Sequence, residues 1–410
     1  MVKTIQKCRI CGNPHLEVIL DFGDQWIQGF FNYPNKPEPP KRKITTKIVR
    51  CMPEKFENGC GAIQNLVSVD PNILYSNYGY SSSISDTMKK HLQSITIAVS
   101  DFNPKIRSVL DIGGNSGELI QNHKKAKVKV VVDPSDVSKN YSKYWRDIEL
   151  VNKCYPCGEL FGRKFDAIYS IACLYDISDL HDFLKSIKIN LNYNGIYTFE
   201  VAYLPAVLKN CAYDGLVLEH IHLFSFSILD RVFKECGLKI FSAIETDTNG
   251  GSLLGFATHQ EYAGYDKYSH WLNIFRLKEF DLELDTNKPY KVFSENIEKS
   301  SKELVKTLKR LKKNGERIYI LGASTKLNVI LQKNSIGTNY IDGASERDFN
   351  KVGGSILNGI PIVSEGEARK KATVYLVGPY HFKTEILGRE AEAIKNGVKF
   401  LFPLPKVELI

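Results

Sequence analysis

Val109-Leu110-Asp111-Ile112-Gly113-Gly114-Asn115-Ser116-Gly117 is the stretch whose reading decides the fold. An apolar run delivers a carboxylate and then a glycine turn, and a helix is expected to start near Glu118. Glycines in such a turn let the backbone approach a ligand where a Cβ would clash. Further on, Val131-Val132-Asp133 ends the next apolar run with a second carboxylate, placed to hold ribose hydroxyls. A strand–glycine–helix unit of this kind suits two nucleotide cofactors. A dinucleotide wants Gly-x-Gly-x-x-Gly, and the Gly-Gly-x-x-Gly found here disfavours an NAD-linked oxidoreductase.

The spacing Asp-x-Gly-x-x-x-Gly, from Asp111 to Gly117, resembles motif I of the class I methyltransferases. That resemblance implies S-adenosylmethionine as cofactor, held by Asp111, Gly113, Gly114, Asn115, Gly117 and Asp133. Strand-like runs alternate with helical stretches around the motif, at 108–111, 128–132, 167–170 and 195–200, which predicts βαβ units and a mostly parallel sheet over 71–262. Ile297, Leu304, Leu308 and Leu311 share one helical face and Gly315 stops that helix. The pattern then restarts at 318–321, 340–342 and 374–377, so 263–410 reads as a bridging helix followed by a second, smaller α/β domain. Residues 1–70, punctuated by cysteines and prolines, read as a loop-rich module.

Composition narrows the function classes. With 410 residues, 43% hydrophobic and 25% charged, the chain suits two or three globular domains. It has no apolar run of membrane-spanning length, and its start lacks a signal-peptide core. Nine unevenly spaced cysteines do not read as a secreted disulfide framework, so a reducing cytoplasm is expected. The net charge of +9 comes from dispersed lysines. Its densest cluster, Lys309-Arg310-Leu311-Lys312-Lys313, lies on the solvated face of a helix whose other face is apolar. A zinc-ribbon nucleic-acid-binding protein is the non-enzyme alternative. It would need clustered basic residues, and the motif-bearing loops are nearly free of them. Neither a nucleic acid nor a membrane is an expected partner, whereas an anionic, phosphate-bearing small molecule suits the positive balance.

Cys8-Arg9-Ile10-Cys11-Gly12 places two thiols on one tight turn, and Cys51 and Cys60-Gly61 offer a second pair. Four thiolates satisfy the tetrahedral preference of Zn²⁺ and staple a module too small for its own core. The spacing of the second pair is wider than usual for such a site, and ordinary free cysteines are the competing reading. Cys154-Tyr155-Pro156-Cys157 has nothing nearby to complete a site and reads as structural.

Leu218-Glu219-His220-Ile221-His222-Leu223-Phe224-Ser225 puts an acid–imidazole pair in an apolar segment. An imidazole is a natural general base, and either histidine also fits a satisfied core position. Tyr75-Ser76-Asn77-Tyr78-Gly79-Tyr80-Ser81-Ser82-Ser83 reads as a polar loop, and Asn249-Gly250-Gly251-Ser252 as a turn with exposed backbone donors.

Taken together and in this order, these segments resemble the sugar C-methyltransferase family, which branches nucleotide-linked deoxysugars at C3. The resemblance spans nearly the whole chain and includes the zinc module ending near Cys60-Gly61 and Gln64, Tyr78 to Ser83, Met88 and His91, Gly114 to Gly117, Glu219-His220, Phe224-Ser225, Asn249 to Ser252, and Gly322-Ala323-Ser324-Thr325-Lys326. It implies a class I methyltransferase core with an N-terminal Cys₄ zinc module and a C-terminal Rossmann-like domain. By the same resemblance His220 is the base, Glu219 orients or polarises its imidazole, and Tyr78 lies at the active site. Tyr80, Ser82, Asn249 and Lys326 would serve the nucleotide-linked keto-sugar. The chain departs from the family at Tyr175-Asp176-Ile177-Ser178-Asp179, where relatives carry a histidine, at Val217-Leu218, at Ser116 and near Tyr380-His381. These departures leave a different small-molecule acceptor, methylated on carbon or oxygen, as the alternative.

Overall fold

In the computed structural model, which describes residues 2–75 and 81–410, the run around Asp111 is an interior strand of a seven-stranded sheet. Its strands are β1 (Ser108–Ile112), β2 (Val128–Val132), β3 (Glu149–Val151), β4 (Phe165–Ile171), β5 (Leu191–Ala202), β6 (Leu238–Thr246) and β7 (Ser252–His259). Their spatial order is β3-β2-β1-β4-β5-β7-β6. The ladders from β3 through β5 are parallel, and β7 runs antiparallel to both β5 and β6. Continuous Val/Ile runs suit strands covered on both faces. Helix α1 (Asp86–Phe102) lays Leu92, Ile95 and Val99 against Val109, Val131 and Ala167, and Ile95 and Val99 are fully buried. Each such side chain contributes about 1.5–3 kcal/mol.

The chain forms two compact units rather than consecutive blocks dividing at 70 and 262. The first comprises Met1–Glu17, Val49–Pro205 and Ile221–Asp285, and the second Val18–Ile48, Ala206–His220 and Thr286–Ile410. Backbone pairing explains the allocation. Val2–Thr4 pairs with Val67–Val69 inside the first unit, whereas Phe31–Asn32 pairs with Ser355–Ile356 inside the second. Trp26 N–H also donates to Gln332 Oε1 at 2.7 Å, and Asn328 Nδ2 to the Gln28 carbonyl at 2.7 Å, both within the second unit. The expected N-terminal module is thus shared out by long-range hydrogen bonds.

The second unit carries a six-stranded sheet of its own: β8 (Ile318–Leu321), β9 (Gly343–Glu346), β10 (Ile362–Ser364), β11 (Val374–Val377), β12 (Lys399–Phe402) and β13 (Glu408–Leu409), in the order β10-β9-β8-β11-β12-β13. Helix α2 (Lys288–Lys313) buries Ile297, Leu304, Leu308 and Leu311, and Gly315 follows it with φ +78°. Its basic run is solvated, with Lys312 paired to Asp342 at 2.9 Å. No helix among the described residues is long and apolar enough to cross a membrane.

Two local expectations are corrected. The strand expected at Tyr340–Asp342 starts at Gly343, because Asp342 turns its carboxylate to the Ile318 N–H at 2.7 Å and to Lys312. The helix expected near Glu118 is only a 3₁₀ turn, Ile120–Asn122. There the Gln121 N–H still reaches the Gly117 carbonyl, at 3.3 Å, but the Asn122 N–H turns to the Leu119 carbonyl, at 3.1 Å, and the Asn122 side-chain amide takes the Glu118 carbonyl at 2.9 Å instead.

Candidate active site

The donor cluster belongs to the first unit and sits at the carboxyl ends of β1 and β2, where open α/β sheets bind their ligands. Asp111 is 2% exposed, and its Oδ2 has no hydrogen-bond partner among the described residues. Burial, reinforced by the charge of Asp133, pushes its carboxyl up to about 8. A cationic ligand group would relieve that cost, as the ammonium of a bound amino-acid moiety does. Asp133 accepts from Asn115 N–H through Oδ2 at 2.8 Å and from Ser135 N–H through Oδ1 at 2.7 Å. It therefore fixes the loop while keeping further lone pairs for ribose hydroxyls.

Glycine is required in the loop for space. A Cβ on Gly114 would lie 2.9 Å from both Asp111 Oδ2 and Val131 Cγ1. Gly117 has φ +78°, and a Cβ there would meet the Trp145 ring at 2.7 Å. Trp145 in turn donates from Nε1 to the Ser116 carbonyl at 3.1 Å. Ser82 is placed against this loop: its N–H donates to Asn115 Oδ1 at 3.0 Å, and its hydroxyl bonds Ser116 Oγ at 2.8 Å. Asn249 lies in the turn before β7 with φ +55°. Tyr78 and Tyr80 lie outside the described residues.

Cys8, Cys11, Cys51 and Cys60 converge in the first unit, with all four sulfurs within 4.8 Å of one another. The pairs Cys8–Cys60 and Cys11–Cys51 stand at 3.6 and 3.5 Å. That is far beyond a disulfide and close to the edge of about 3.8 Å that four Zn–S bonds of ~2.3 Å give a tetrahedron. Donors aim at these sulfurs, as thiolates require: Gln64 Nε2 at 3.0 Å and Ile10 N–H at 3.4 Å to Cys8, and Asn13 Nδ2 at 3.2 Å to Cys51. The four residues can hold a metal ion. Cys154 and Cys157 join no such cluster among the described residues.

The acid–imidazole segment separates into two environments. His222, in the first unit, is buried, hydrogen-bonded through Nε2 to the Ile177 carbonyl at 3.1 Å and stacked on Phe224. It reads as a core residue. His220, in the second unit, is half-buried, and its Nδ1 lies 2.7 Å from the Gly215 carbonyl. A carbonyl only accepts, so Nδ1 carries the proton and Nε2 the lone pair. Burial lowers the imidazole to about 4, which keeps it neutral at pH 7.

Glu219 does not orient this ring; the Gly215 carbonyl does. The Glu219 carboxyl instead takes the Gly29 N–H, and a Cβ on Gly29 would sit 2.5 Å from Glu219 Oε1. Its Oε2 has no hydrogen-bond partner among the described residues, and burial pushes the acid up to about 7.

Around His220 the second unit gathers Lys326, expected from the sequence, together with Asp214 and Tyr380, whose pairing sequence reading missed. Tyr380 donates its hydroxyl to Asp214 Oδ1 at 2.7 Å. Burial raises the Asp214 carboxyl, opposed by Lys326, and burial lowers the Lys326 ammonium, opposed by Asp214. Lys326 is the second residue of helix α3 (Thr325–Lys333), whose N-cap Ser324 accepts from Leu327 N–H. The only sequence sign of Asp214 is an acidic residue and a glycine just before the Glu-His pair.

A β3-β2-β1-β4-β5-β7-β6 sheet with a glycine loop between two carboxylates defines an S-adenosylmethionine-dependent methyltransferase. A family model described as a methyltransferase domain matches residues 85–243, and one described as a C-methyltransferase C-terminal domain matches 247–405. Together the two matches cover most of the chain, a methyltransferase similar to the C-methyltransferases. Over its whole length and 98% of the relative's, it is 24% identical to the C-methyltransferase NovU of Streptomyces niveus. Solved structures similar to it include an S-adenosylmethionine-dependent methyltransferase from Clostridium acetobutylicum, at 15% identity over 42% of this chain and 92% of that one, TM-score 0.34. Another is the N-methyltransferase NodS of Bradyrhizobium japonicum in complex with S-adenosyl-L-homocysteine, at 14% identity over 43% and 89%, TM-score 0.33.

Proposed function

We propose that this C-methyltransferase acts on a nucleotide-linked keto-deoxysugar, methylating the carbon beside the carbonyl. The observation that carries the reading is the His220 imidazole, held neutral by burial and in one tautomer by the Gly215 carbonyl. In this scheme His220 Nε2 takes the proton next to the carbonyl, and the C–H electrons pass into the enolate. Bound S-adenosylmethionine supplies the electrophilic methyl sulfonium. The carbon takes the methyl group as its bond to sulfur breaks, the electron pair staying on sulfur to leave neutral S-adenosylhomocysteine, and the imidazolium then returns its proton to solvent. Glu219, with a carboxyl near 7, is the acid or hydrogen-bond donor at hand for the developing oxyanion. Tyr78 shares that task by family resemblance. Lys326 supplies a cation for the diphosphate, and Tyr80, Ser82 and Asn249 serve the acceptor side.

The thiolate cluster is a structural Zn²⁺ site in this reading. It needs reduced cysteines, in keeping with a cytoplasmic protein. Gln64 supports it: its strand, Ile63–Asn65, pairs with His222–Leu223 directly after His220.

His220→Asn tests the scheme. Turnover of a thymidine-diphosphate-linked 4-keto-6-deoxyhexose should fall about 10²–10⁴-fold, with S-adenosylhomocysteine binding retained. Without donor, wild type should wash solvent deuterium into the carbon beside the carbonyl and the variant should not. Near-normal turnover by the variant would remove His220 as the base, and no turnover of this sugar by wild type would leave methylation of another acceptor standing.

A further inference from the structure

A largely buried imidazole–carboxylate pair lies in the same unit as Asp111 and Asp133. His91 projects from α1, and its Nε2 meets Glu200 Oε2 at 2.8 Å. Glu200 is 2% exposed, on β5, and its Oε1 accepts from the Thr246 hydroxyl at 2.7 Å. Register fixes where this pair stands. Asp111 aligns with Tyr169 across β1–β4, and Glu200 with Ile171 across β4–β5. Glu200 is thus two strands over and two residues further toward the carboxyl edge, about 12 Å from Asp111 by strand geometry. That edge is the ligand side of an open α/β sheet.

The hydrogen bonds set the ring's chemistry. Glu200 accepts, so Nε2 carries the proton and Nδ1 presents a lone pair. The Thr248 hydroxyl lies 3.2 and 3.5 Å from the two ring nitrogens, tying the ring to the turn that precedes Asn249. The His91 side chain keeps 18% of its surface exposed, so the ring is not sealed into the core as His222 is.

We propose that His91, oriented by Glu200, is the hydrogen-bond acceptor for a hydroxyl of the methyl acceptor, and that it selects hydroxyl-bearing substrates. The dyad rests on the reading of the acceptor as a sugar, but its geometry does not. A buried carboxylate behind the ring stabilises positive charge that builds on it as the hydroxyl proton leans toward Nδ1. A site built to bond a hydroxyl rejects an analogue lacking it, because the polar groups of the site are then left unpaired.

Two measurements on S-adenosylhomocysteine-loaded protein test this. Ring-nitrogen NMR of wild type should show His91 protonated on Nε2 and bare on Nδ1, and Glu200→Gln should lose that fixed tautomer. A wild-type ring protonated on Nδ1 alone overturns the proposal, whatever the acceptor is. In calorimetry, thymidine-diphosphate-linked 4-keto-6-deoxyhexose should bind at least tenfold tighter than its 2,3-dideoxy counterpart. His91→Phe should erase that preference, while His181→Gln, a surface pair with Glu235, should leave it intact. A preference that survives in His91→Phe overturns the proposal. If neither nucleotide binds wild type, the sugar reading fails, and the tautomer alone decides for or against the dyad.

Discussion

Asp111→Asn should raise the stability of the ligand-free protein above neutral pH while weakening its hold on the methyl donor. Burial, with Asp133 nearby, lifts the Asp111 carboxyl from 3.8 to about 8. Its folded value therefore exceeds its unfolded one, so its favourable contribution is fully present below about pH 4 and is lost as pH rises through about 8. A shift of about four units at ~1.36 kcal/mol each sets a ceiling of roughly 5–6 kcal/mol. Relaxation around the ionised group brings the observable to on the order of 2–3 kcal/mol. Asparagine cannot ionise and should abolish this slope. Chemical denaturation at pH 5, 7 and 9 should show wild type losing stability relative to Asp111→Asn across the series. Donor binding should run the other way. A bound ammonium favours the carboxylate, so S-adenosylhomocysteine affinity should rise with pH up to about 8. Calorimetry in buffers of different ionisation heat should detect about one proton released at pH 7, and none in the variant. Parallel stability profiles for the two proteins, with no proton released by wild type, would refute an ionisation-poised Asp111.

Other outcomes follow from single contacts. Gly117→Ala combines a left-handed backbone with a Cβ 2.7 Å from the Trp145 ring; S-adenosylhomocysteine affinity should drop by about 1–3 kcal/mol through strain, measured by calorimetry. Purified protein should carry about one zinc per chain, read by metal analysis, and Cys60→Ser should lower that content and the thermal midpoint together. Gly29→Ala, whose Cβ would lie 2.5 Å from Glu219 Oε1, should displace that carboxyl and lower turnover in steady-state kinetics; an unchanged kcat would contradict a role for Glu219. For His220, the acid limb of kcat/KM should fall as pH drops through about 4, because protonation removes the Nε2 lone pair.

What the sequence by itself determined was local. The apolar runs at 108–111, 128–132, 167–170 and 195–200 became β1, β2, β4 and β5, since burial on both faces demands such runs. The glycines at 113, 114 and 117 and the carboxylates at 111 and 133 met in one loop, because a strand end and its turn fix their geometry within a few residues. The four cysteines were legible as a set, and the structure closes them around one point. Tertiary structure decided everything that joins distant residues. Periodicity carries no trace of the pairing between 31–32 and 355–356, so it could not reveal that 18–48 belongs with the C-terminal half. Nor could it reveal the partner of Glu219, which is a backbone N–H rather than the neighbouring imidazole. The His220 tautomer rests on one carbonyl five residues back, at the end of a 3₁₀ turn, Tyr213–Gly215. His91 and Glu200 are 109 residues apart and meet only because α1 packs where β5 ends. Side-chain partners of that separation depend on how elements pack, and local sequence patterns encode the elements rather than their meeting points.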